Sequence, residues 1–129
     1  MSEATKVRAV VFAKDLGKVA GFYAGSLDME CLKRDEYHAV LGCRGFELIV
    51  HQIPDRIAAD IEIDAPPVRR EGGAVRLDYP VDNIDRSRAS AKSFGGHIDE
   101  SPPEWADRDT NFYPGFDPEG NVFGVSQLS

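Results

Sequence analysis

The sequence predicts an α+β protein built from two modules of the same order, strand–helix–three strands. Three observations predict it: runs of β-branched and aromatic residues of strand length, two stretches with apolar residues at helical spacing behind a capping residue, and the recurrence of that order in the second half. A pattern that recurs once at this period indicates an internal duplication. With 129 residues, of which 42% are hydrophobic and 29% charged, the chain is expected to form a single domain over residues 1–129.

The first module is expected over about residues 5–53. Its first strand is predicted at 7–13, and Asp15 is a candidate N-cap for the helix that follows. Gly25 is expected to end that helix. One face of the helix carries the apolar residues Leu16, Val19, Ala20 and Tyr23. Polar turns separate three further strands, which are predicted at 29–34, 38–43 and 46–52.

The second module is expected over about residues 74–129, after a linker at 54–73. The linker contains Pro54, Pro66 and Pro67 and is predicted to be extended and exposed, with strand character only at 61–63. In the module a strand at 74–81 precedes a cap at Asp82 or Asn83. The helix that follows has an inward face of Ile84, Ser87, Ala91 and Phe94, and it ends at Gly95-Gly96. A strand starting at 97 and a final hairpin of 111–116 and 121–127 complete the order.

Charge and composition exclude several classes of partner. The net charge of −7 and the pI near 4.9 oppose binding to nucleic acid or to an anionic membrane surface. No apolar run reaches membrane-spanning length and the N-terminus lacks a signal pattern, so a cytoplasmic location is expected. Cys31 and Cys43 are expected to be reduced thiols in neighbouring strands, with a cross-hairpin disulfide as the less favoured alternative, and their spacing does not suggest structural zinc.

Four segments carry a resemblance to a known family. They are the stretch 7–16, Gly-Phe-Tyr at 21–23, Val-Asp-Asn-Ile-Asp at 81–85, and 115–123, where an Asp-Pro-Glu-Gly-Asn turn leads into the last strand. Their order and spacing resemble the glyoxalase/bleomycin-resistance/extradiol dioxygenase group, the vicinal oxygen chelate superfamily. The resemblance implies that the two βαβββ modules form a cupped mixed sheet around a small-molecule ligand, and that the protein assembles as a homodimer.

The same resemblance identifies the positions that bind metal in the superfamily's metal-dependent members. They correspond here to Arg8, Glu47, Arg76 and Gly124, where those enzymes have His or Gln, Glu, His and Glu. Arginine offers no lone pair to a metal, and one carboxylate binds a divalent ion weakly. His51 lies roughly 13 Å along the strand from Glu47. We therefore expect no metal and no cofactor, and the pattern argues against glyoxalase, extradiol dioxygenase and metal-dependent thiol transferase activities.

Strand alternation then divides the side chains between two faces. If Arg8 and Arg76 face the cup, then Val7, Ala9, Val11, Leu48, Val50, Leu77 and Tyr79 form the core. The residues expected to face the cup are Arg8, Val10, Phe12, Glu47, Ile49, His51, Arg76, Asp78, Pro80, Val122 and Ser126. His38 and His97 are expected to be solvated surface residues.

The two arginines admit two interpretations, which are compatible with each other. Arg8 can pair with Glu47, and Arg76 with Asp78 or Glu47, so that the guanidinium groups simply fill the vacated pocket. Alternatively, at least one guanidinium binds a carboxylate, phosphate or enolate of a ligand. Gly124 favours the second interpretation, because its missing side chain is expected to leave room in the cup.

Three aromatic residues near a Pro-rich stretch are candidates for stacking on a planar ligand: Trp105, Phe112 and Tyr113. The alternative is that Trp105 only fixes a loop to the core. Asp107 and Asp109 are expected to form a solvated acidic turn rather than a catalytic pair.

The sequence thus predicts a protein that binds a small anionic or aromatic molecule in a metal-free cup. The predicted ligand-binding residues are Arg8, Phe12, Glu47, His51, Arg76, Asp78, Trp105, Phe112, Tyr113 and Ser126. Whether the protein is an enzyme stays open: Glu47 is the best candidate for a base in a cofactor-free lyase or isomerase, and a metal enzyme with ligands elsewhere is the other catalytic option. An interaction domain with a collapsed cup is a third possibility.

Overall fold

The computed structural model describes residues 6–106 and 112–127. The first module contains β1 (Val7–Ala13), α1 (Leu16–Ser26), β2 (Glu30–Arg34), β3 (His38–Cys43) and β4 (Phe46–Gln52). A four-residue helix, α2 (Asp55–Ala58), lies between the modules. The second module contains β5 (Leu77–Val81), α3 (Ile84–Ser93), β6 (His97–Ile98), β7 (Phe112–Phe116) and β8 (Val122–Gln127). The order confirms the predicted α+β class with two βαβββ modules.

Each module forms its own four-stranded mixed sheet with the same topology. The strand orders are β1-β4-β3-β2 and β5-β8-β7-β6. In both sheets the first strand of the module pairs in parallel with the last one, and the other pairs are antiparallel. The helix of each module packs on one face of the sheets, which leaves the opposite face open. We call this open side the cup face.

The duplication extends to individual hydrogen bonds. Asp15 accepts a hydrogen bond from Lys18 N (3.1 Å), and Asn83 accepts one from Arg86 N (3.0 Å), so that Asn83 rather than Asp82 caps the second helix. At the end of the last strand of each module, a glutamine side chain accepts a hydrogen bond from the first backbone amide of the helix. Gln52 Oε1 binds Leu16 N and Gln127 Oε1 binds Ile84 N, both at 3.0 Å.

The core lies between the helices and the two sheets. The helix residues predicted to face inward, Leu16, Val19, Ala20 and Tyr23, are all buried, as are Leu48, Val50 and Tyr79 on the strands. Rings of Phe22, Tyr23, Tyr79 and Phe123 contact one another with centroids 5.3–6.2 Å apart and join the two modules. The predicted strand register is therefore observed in the core.

Three predicted local features are wrong. Val7, at the start of the edge strand β1, is exposed instead of buried. Gly25 does not end α1, which continues to Ser26; a Cβ there would overlap the ring of Phe94, so the glycine serves close packing between α1 and the end of α3. Phe94 covers Gly25 but stays partly exposed.

The segment between the modules also departs from the prediction. Residues 61–63 form no strand, β5 begins at Leu77, and residues 55–58 are helical. We call residues 66–76 the crossover segment. It is fixed to the last hairpin, since Arg70 N donates to Gly120 O (2.9 Å), and a Cβ on Gly120, whose φ is +85°, would overlap the carbonyl of Val68.

The Asp-Pro-Glu-Gly-Asn turn of the second module forms hydrogen bonds with the first module. Asp117 is fully buried and accepts hydrogen bonds from Glu119 N (2.9 Å), Asn121 N (3.1 Å) and the Tyr23 hydroxyl (2.9 Å). Burial raises the pKa of Asp117 above its usual value. The Glu119 carboxylate accepts from the backbone amides of residues 14 and 15, both at 2.7 Å. The turn therefore holds the start of α1 against the second module.

Cys31 in β2 and Cys43 in β3 are free thiols. No helix in the described part of the chain is long and apolar enough to span a membrane. The acidic turn predicted at Asp107 and Asp109, and the predicted start of a strand at Asn111, lie outside the described residues.

Candidate ligand-binding cavity

The cup face of the first sheet carries the residues that the strand alternation predicted. Arg8 lies opposite Glu47 in the register of β1 and β4, and Phe12 lies opposite His51. Arg8 Nε donates to Glu47 Oε1 at 2.7 Å, and Lys6 Nζ donates to Glu47 Oε2 at 3.3 Å. The hydrogen bond from Arg8, with the one from Lys6, lowers the pKa of Glu47. The carboxylate is thus held as an anion between two cations.

A row of three rings crosses the same face. Phe12 and His51 have centroids 5.8 Å apart, and His51 stacks on His38 with centroids 6.3 Å apart and an interplanar angle of 17°. His38 Nδ1 lies 2.9 Å from Asp35 Oδ1. His38, which was expected to be a solvated surface residue, is only half-exposed and contacts a predicted site residue.

The cup face of the second sheet holds a compact cluster around Arg76. Its Nε and Nη2 donate to the two carboxylate oxygens of Asp78 at 2.8 and 3.2 Å. The guanidinium carbon lies 4.1 Å from the ring centroid of Phe112 and 5.9 Å from that of Trp105, and the two rings are 5.7 Å apart. Arg76 is therefore both neutralised by a carboxylate and stacked on aromatic rings.

Gly124 does not leave the room that the sequence suggested. A Cβ at this position would overlap Asp78 Oδ1 and would lie 3.3 Å from Arg76 Nε. Gly124 and Asp78 are directly opposite each other in β8 and β5. The carboxylate of Asp78 thus fills the space above Gly124, and this prediction is corrected for a steric reason.

Tyr113 and Ser126 differ in their relation to this cluster. Ser126 lies opposite Phe112 and next to Pro80, on the cup face. Tyr113 follows Phe112 along β7 and so lies on the other face, where it packs against the core under the guanidinium of Arg88, 5.1 Å from its centroid. The structure brings Arg76, Asp78, Trp105 and Phe112 together and leaves Tyr113 out.

The duplication shifts one of the predicted metal positions. Gln52 and Gln127 make equivalent hydrogen bonds, and they follow Ile49 and Gly124 by three residues. The equivalent of Gly124 in the first module is therefore Ile49, and Glu47 corresponds to Val122.

The four positions then hold Arg8, Ile49, Arg76 and Gly124, none of which ligates a metal through its side chain. Within residues 6–106 and 112–127, no three His, Cys, Asp or Glu side chains are grouped so that they could hold a metal ion. The residues present do not fit the superfamily's metal.

A cavity of about 830 Å³ lies between β1 and the second sheet; its lining includes Arg76, Pro114 and Val122 from the cup face and Leu77, Tyr79 and Phe123 from the core face. Its walls come from β1, from β5 and β8, from the crossover segment and from the Pro-rich stretch. The lining includes Val10, Phe12, Arg69, Arg76, Trp105 and Val122. The predicted site is therefore split: Arg76, Trp105 and Phe12 line the cavity, whereas Arg8, Glu47 and His51 lie on the first sheet outside its lining.

Arg69 was not predicted as a site residue, because it lies in the stretch predicted to be a linker. Its Nη1 and Nη2 donate to Asp99 at 3.0 and 2.6 Å, and its guanidinium carbon lies 5.2 Å from the ring centroid of Phe116. This repeats the arrangement of Arg76 with Asp78 and Phe112. The only signal in the sequence is an arginine pair at 69–70 in an otherwise Pro- and Gly-rich stretch.

The mouth of the cavity is unusually apolar for an exposed surface. The exposed fractions are 48% for Val10, 62% for Phe12, 79% for Val75 and 72% for Trp105, and all four residues line the cavity. Large apolar side chains that cluster around a concavity indicate a site of binding.

Comparison with known proteins agrees with this fold. The structure is similar to a glyoxalase/bleomycin resistance protein from Albidiferax ferrireducens T118 (TM-score 0.66, 18% identity, covering 95% of this chain and 98% of that one). It is also similar to the fosfomycin resistance protein FosX from Listeria monocytogenes (TM-score 0.64, 11% identity, 100% and 94%). A third similar structure is the bleomycin-binding protein from Streptomyces verticillus, in complex with copper(II)-bleomycin (TM-score 0.58, 15% identity, 100% and 100%).

No curated protein shows significant sequence similarity to the chain. The family model of the Glyoxalase-like domain matches residues 8–126, nearly the whole sequence. The protein therefore belongs to the Glyoxalase-like domain family, within the vicinal oxygen chelate superfamily that its motifs resemble.

Proposed function

We propose that the protein binds a small planar aromatic molecule in the cavity between β1 and its second sheet, without the help of a metal ion. The observation that carries the proposal is the exposed indole of Trp105, which stands at the cavity mouth beside the guanidinium of Arg76, itself stacked on Phe112. Flat surfaces of this kind favour flat ligands, because stacking adds to the burial of apolar area.

Binding is better supported than catalysis. Glu47, the candidate base, is paired with Arg8 and Lys6, and its lowered pKa makes it a weak proton acceptor. It also lies outside the cavity lining. One structural neighbour is a bleomycin-binding protein and another a fosfomycin resistance protein, so this fold is used elsewhere to handle small molecules.

The first sheet supports a homodimer as the assembled form. β1 is an edge strand whose outer side is not paired within the described chain, and a strand of a second copy could pair there. The expected result is a two-chain mass by light scattering on a sizing column. A single-chain mass at a protein concentration of tens of micromolar would contradict the homodimer. The proposed ligand would then bind to the monomer.

The binding proposal is tested with N-phenyl-1-naphthylamine, an uncharged planar probe that fluoresces in apolar sites. We expect saturable binding, with quenching of the emission of Trp105, the single tryptophan of the chain. Trp105→Ala should weaken binding of the probe about tenfold, the upper range for loss of one aromatic contact. Tyr37→Ala is the matched control, because Tyr37 is an aromatic residue outside the cavity and is 62% exposed, against 72% for Trp105. Equal affinity of the two variants would contradict the proposal.

A further inference from the structure

We propose that the cavity selects elongated uncharged aromatic molecules over anionic ones, because the arginines at its two ends, Arg69 and Arg76, are each already paired with a carboxylate. The inference rests on the proposed function and adds the charge class of the ligand. The sequence predicted an anionic or aromatic ligand; the inference keeps the aromatic class and departs from the anionic one.

The two ends of the cavity are built alike. At one end Arg76 makes a two-point ion pair with Asp78 and stacks on Phe112. At the other end Arg69 makes a two-point ion pair with Asp99 and stacks on Phe116. Each ion pair therefore carries no net charge as a unit, and the carboxylate takes two of the five N–H donors of its guanidinium.

Pro114 and Val122 form an apolar floor between the two ends, and the rings of Phe112 and Phe116 lie under the two guanidinium groups. Phe112 and Phe116 are four residues apart on one face of β7, roughly 13 Å at the usual strand rise. Pro114 lies between them, and Val122 of β8 lies opposite Phe116; Pro114 and Val122 both line the cavity. The span fits a molecule of two or three linked or fused rings, with its flat face on the floor and its ends at the arginines.

An anion gains little at either end. To reach Arg76 or Arg69 it must displace Asp78 or Asp99, or bind beside a carboxylate that repels it. The charged residues of the cavity lining are Arg69, Arg70, Arg76, Glu71 and Asp99. When Asp78, the partner of Arg76, is added, three positive charges are balanced by three negative charges. The surplus positive charge on the cup face lies instead at Lys6 and Arg8 around Glu47, outside the cavity lining.

The test compares two probes that differ by one charged group. N-phenyl-1-naphthylamine and 8-anilinonaphthalene-1-sulfonate share the same rings, and only the second carries a sulfonate. We expect the wild-type protein to bind the uncharged probe at least tenfold more tightly. Asp78→Asn and Asp99→Asn each free a guanidinium and should tighten binding of the sulfonate about tenfold, the change for one charge-assisted hydrogen bond, with little change for the uncharged probe.

Asp60→Asn is the control, because it changes the net charge equally at an exposed residue outside the lining. A wild-type preference for the sulfonate, or an equal effect of Asp60→Asn on its affinity, would overturn the charge selection while leaving the binding function in place. Failure of the wild-type protein to bind either probe would overturn the proposed function itself, and the charge selection with it. Asp99→Asn serves as a second variant should Asp78→Asn disturb the packing over Gly124.

Discussion

The carboxylate of Asp78 occupies the space directly above Gly124, where a side chain on β8 would otherwise project into the cup. In the metal-dependent relatives that the motifs resemble, this position is a glutamate ligand. Here the adjacent strand supplies a carboxylate instead, and that carboxylate is held by Arg76. The space above Gly124, where the metal-dependent relatives have a ligand, is thus filled by the Arg76–Asp78 ion pair.

Gly124→Ala is expected to destabilise the protein by about 1–2 kcal/mol, the usual cost of inserting a methyl group into filled space. The same change in an Asp78→Ala background should cost much less, because the overlapping atoms are gone. Chemical unfolding of the single and double variants measures both values. Gly21→Ala is the control: it lies in α1 with nothing within 4 Å of its Cβ, so it should stabilise by about 0.5–1 kcal/mol. Additive costs at 124 and 78 would contradict the steric account.

Glu47 should make stability depend on acidity. Its pKa is lowered by Arg8 and Lys6, so its contribution is present above the unfolded-state pKa and is lost as the pH falls through the folded-state value. Glu47→Gln should therefore lower the melting temperature at neutral pH, and the difference from wild type should shrink below about pH 4. Melting curves at several pH values test this. A difference that is constant across the range would mean that the ion pairs do not stabilise the fold.

Asp117 should act in the opposite direction. Burial raises its pKa, so the folded state holds the proton more tightly than the unfolded chain does. Its contribution is fully present below the unfolded-state pKa and is lost as the pH rises through the folded-state value. The free energy of unfolding of wild type, relative to that of Asp117→Asn, should thus fall as the pH rises from about 3.5. Urea unfolding at several pH values measures this difference. A relative stability that increases over that range would show that the hydrogen bonds from Glu119 N, Asn121 and Tyr23 outweigh burial.

The two glutamines that bind the helix starts should have related roles. Gln52→Ala and Gln127→Ala each remove the partner of a first-turn amide, and we expect losses of about 1 kcal/mol. Gln52→Ala should lower the stability more than Gln127→Ala, since the Gln52 side-chain amide also donates to Ile53 O at 3.1 Å and is less exposed. Unfolding free energies measure the order. An unchanged free energy of unfolding in Gln52→Ala would contradict the proposal that the two glutamines stabilise their helices in the same way.

Local patterns predicted much of this fold. The bounds of β1, β3 and β4 agree with the sequence prediction, because β-branched runs bounded by polar turns define strands well. Side-chain alternation also placed Arg8, Phe12, Glu47 and Arg76 on the correct face. Tyr113 could have been excluded by the same rule, since it adjoins Phe112 on one strand.

The remaining features depend on contacts between distant segments. Arg69 pairs with Asp99 thirty residues away, and nothing near it in the sequence marks that partner. The equivalence of Ile49 with Gly124 follows from the positions of Gln52 and Gln127 relative to the two helices. The Gly-x-Glu-Leu motif around Glu47 does not include these two glutamines. The motif alone therefore places Glu47, instead of Ile49, at the ligand position.

The most direct test of the central claim is the affinity for N-phenyl-1-naphthylamine after treatment with a chelator, and again after addition of Zn²⁺, Ni²⁺, Mn²⁺ or Fe²⁺. His51→Ala serves as a control for metal bound by the stacked imidazoles of His38 and His51. The account predicts the same affinity in every condition, because the cavity is formed by aromatic rings and neutralised arginines. Binding that requires one of these ions, in wild type and in His51→Ala alike, would contradict it.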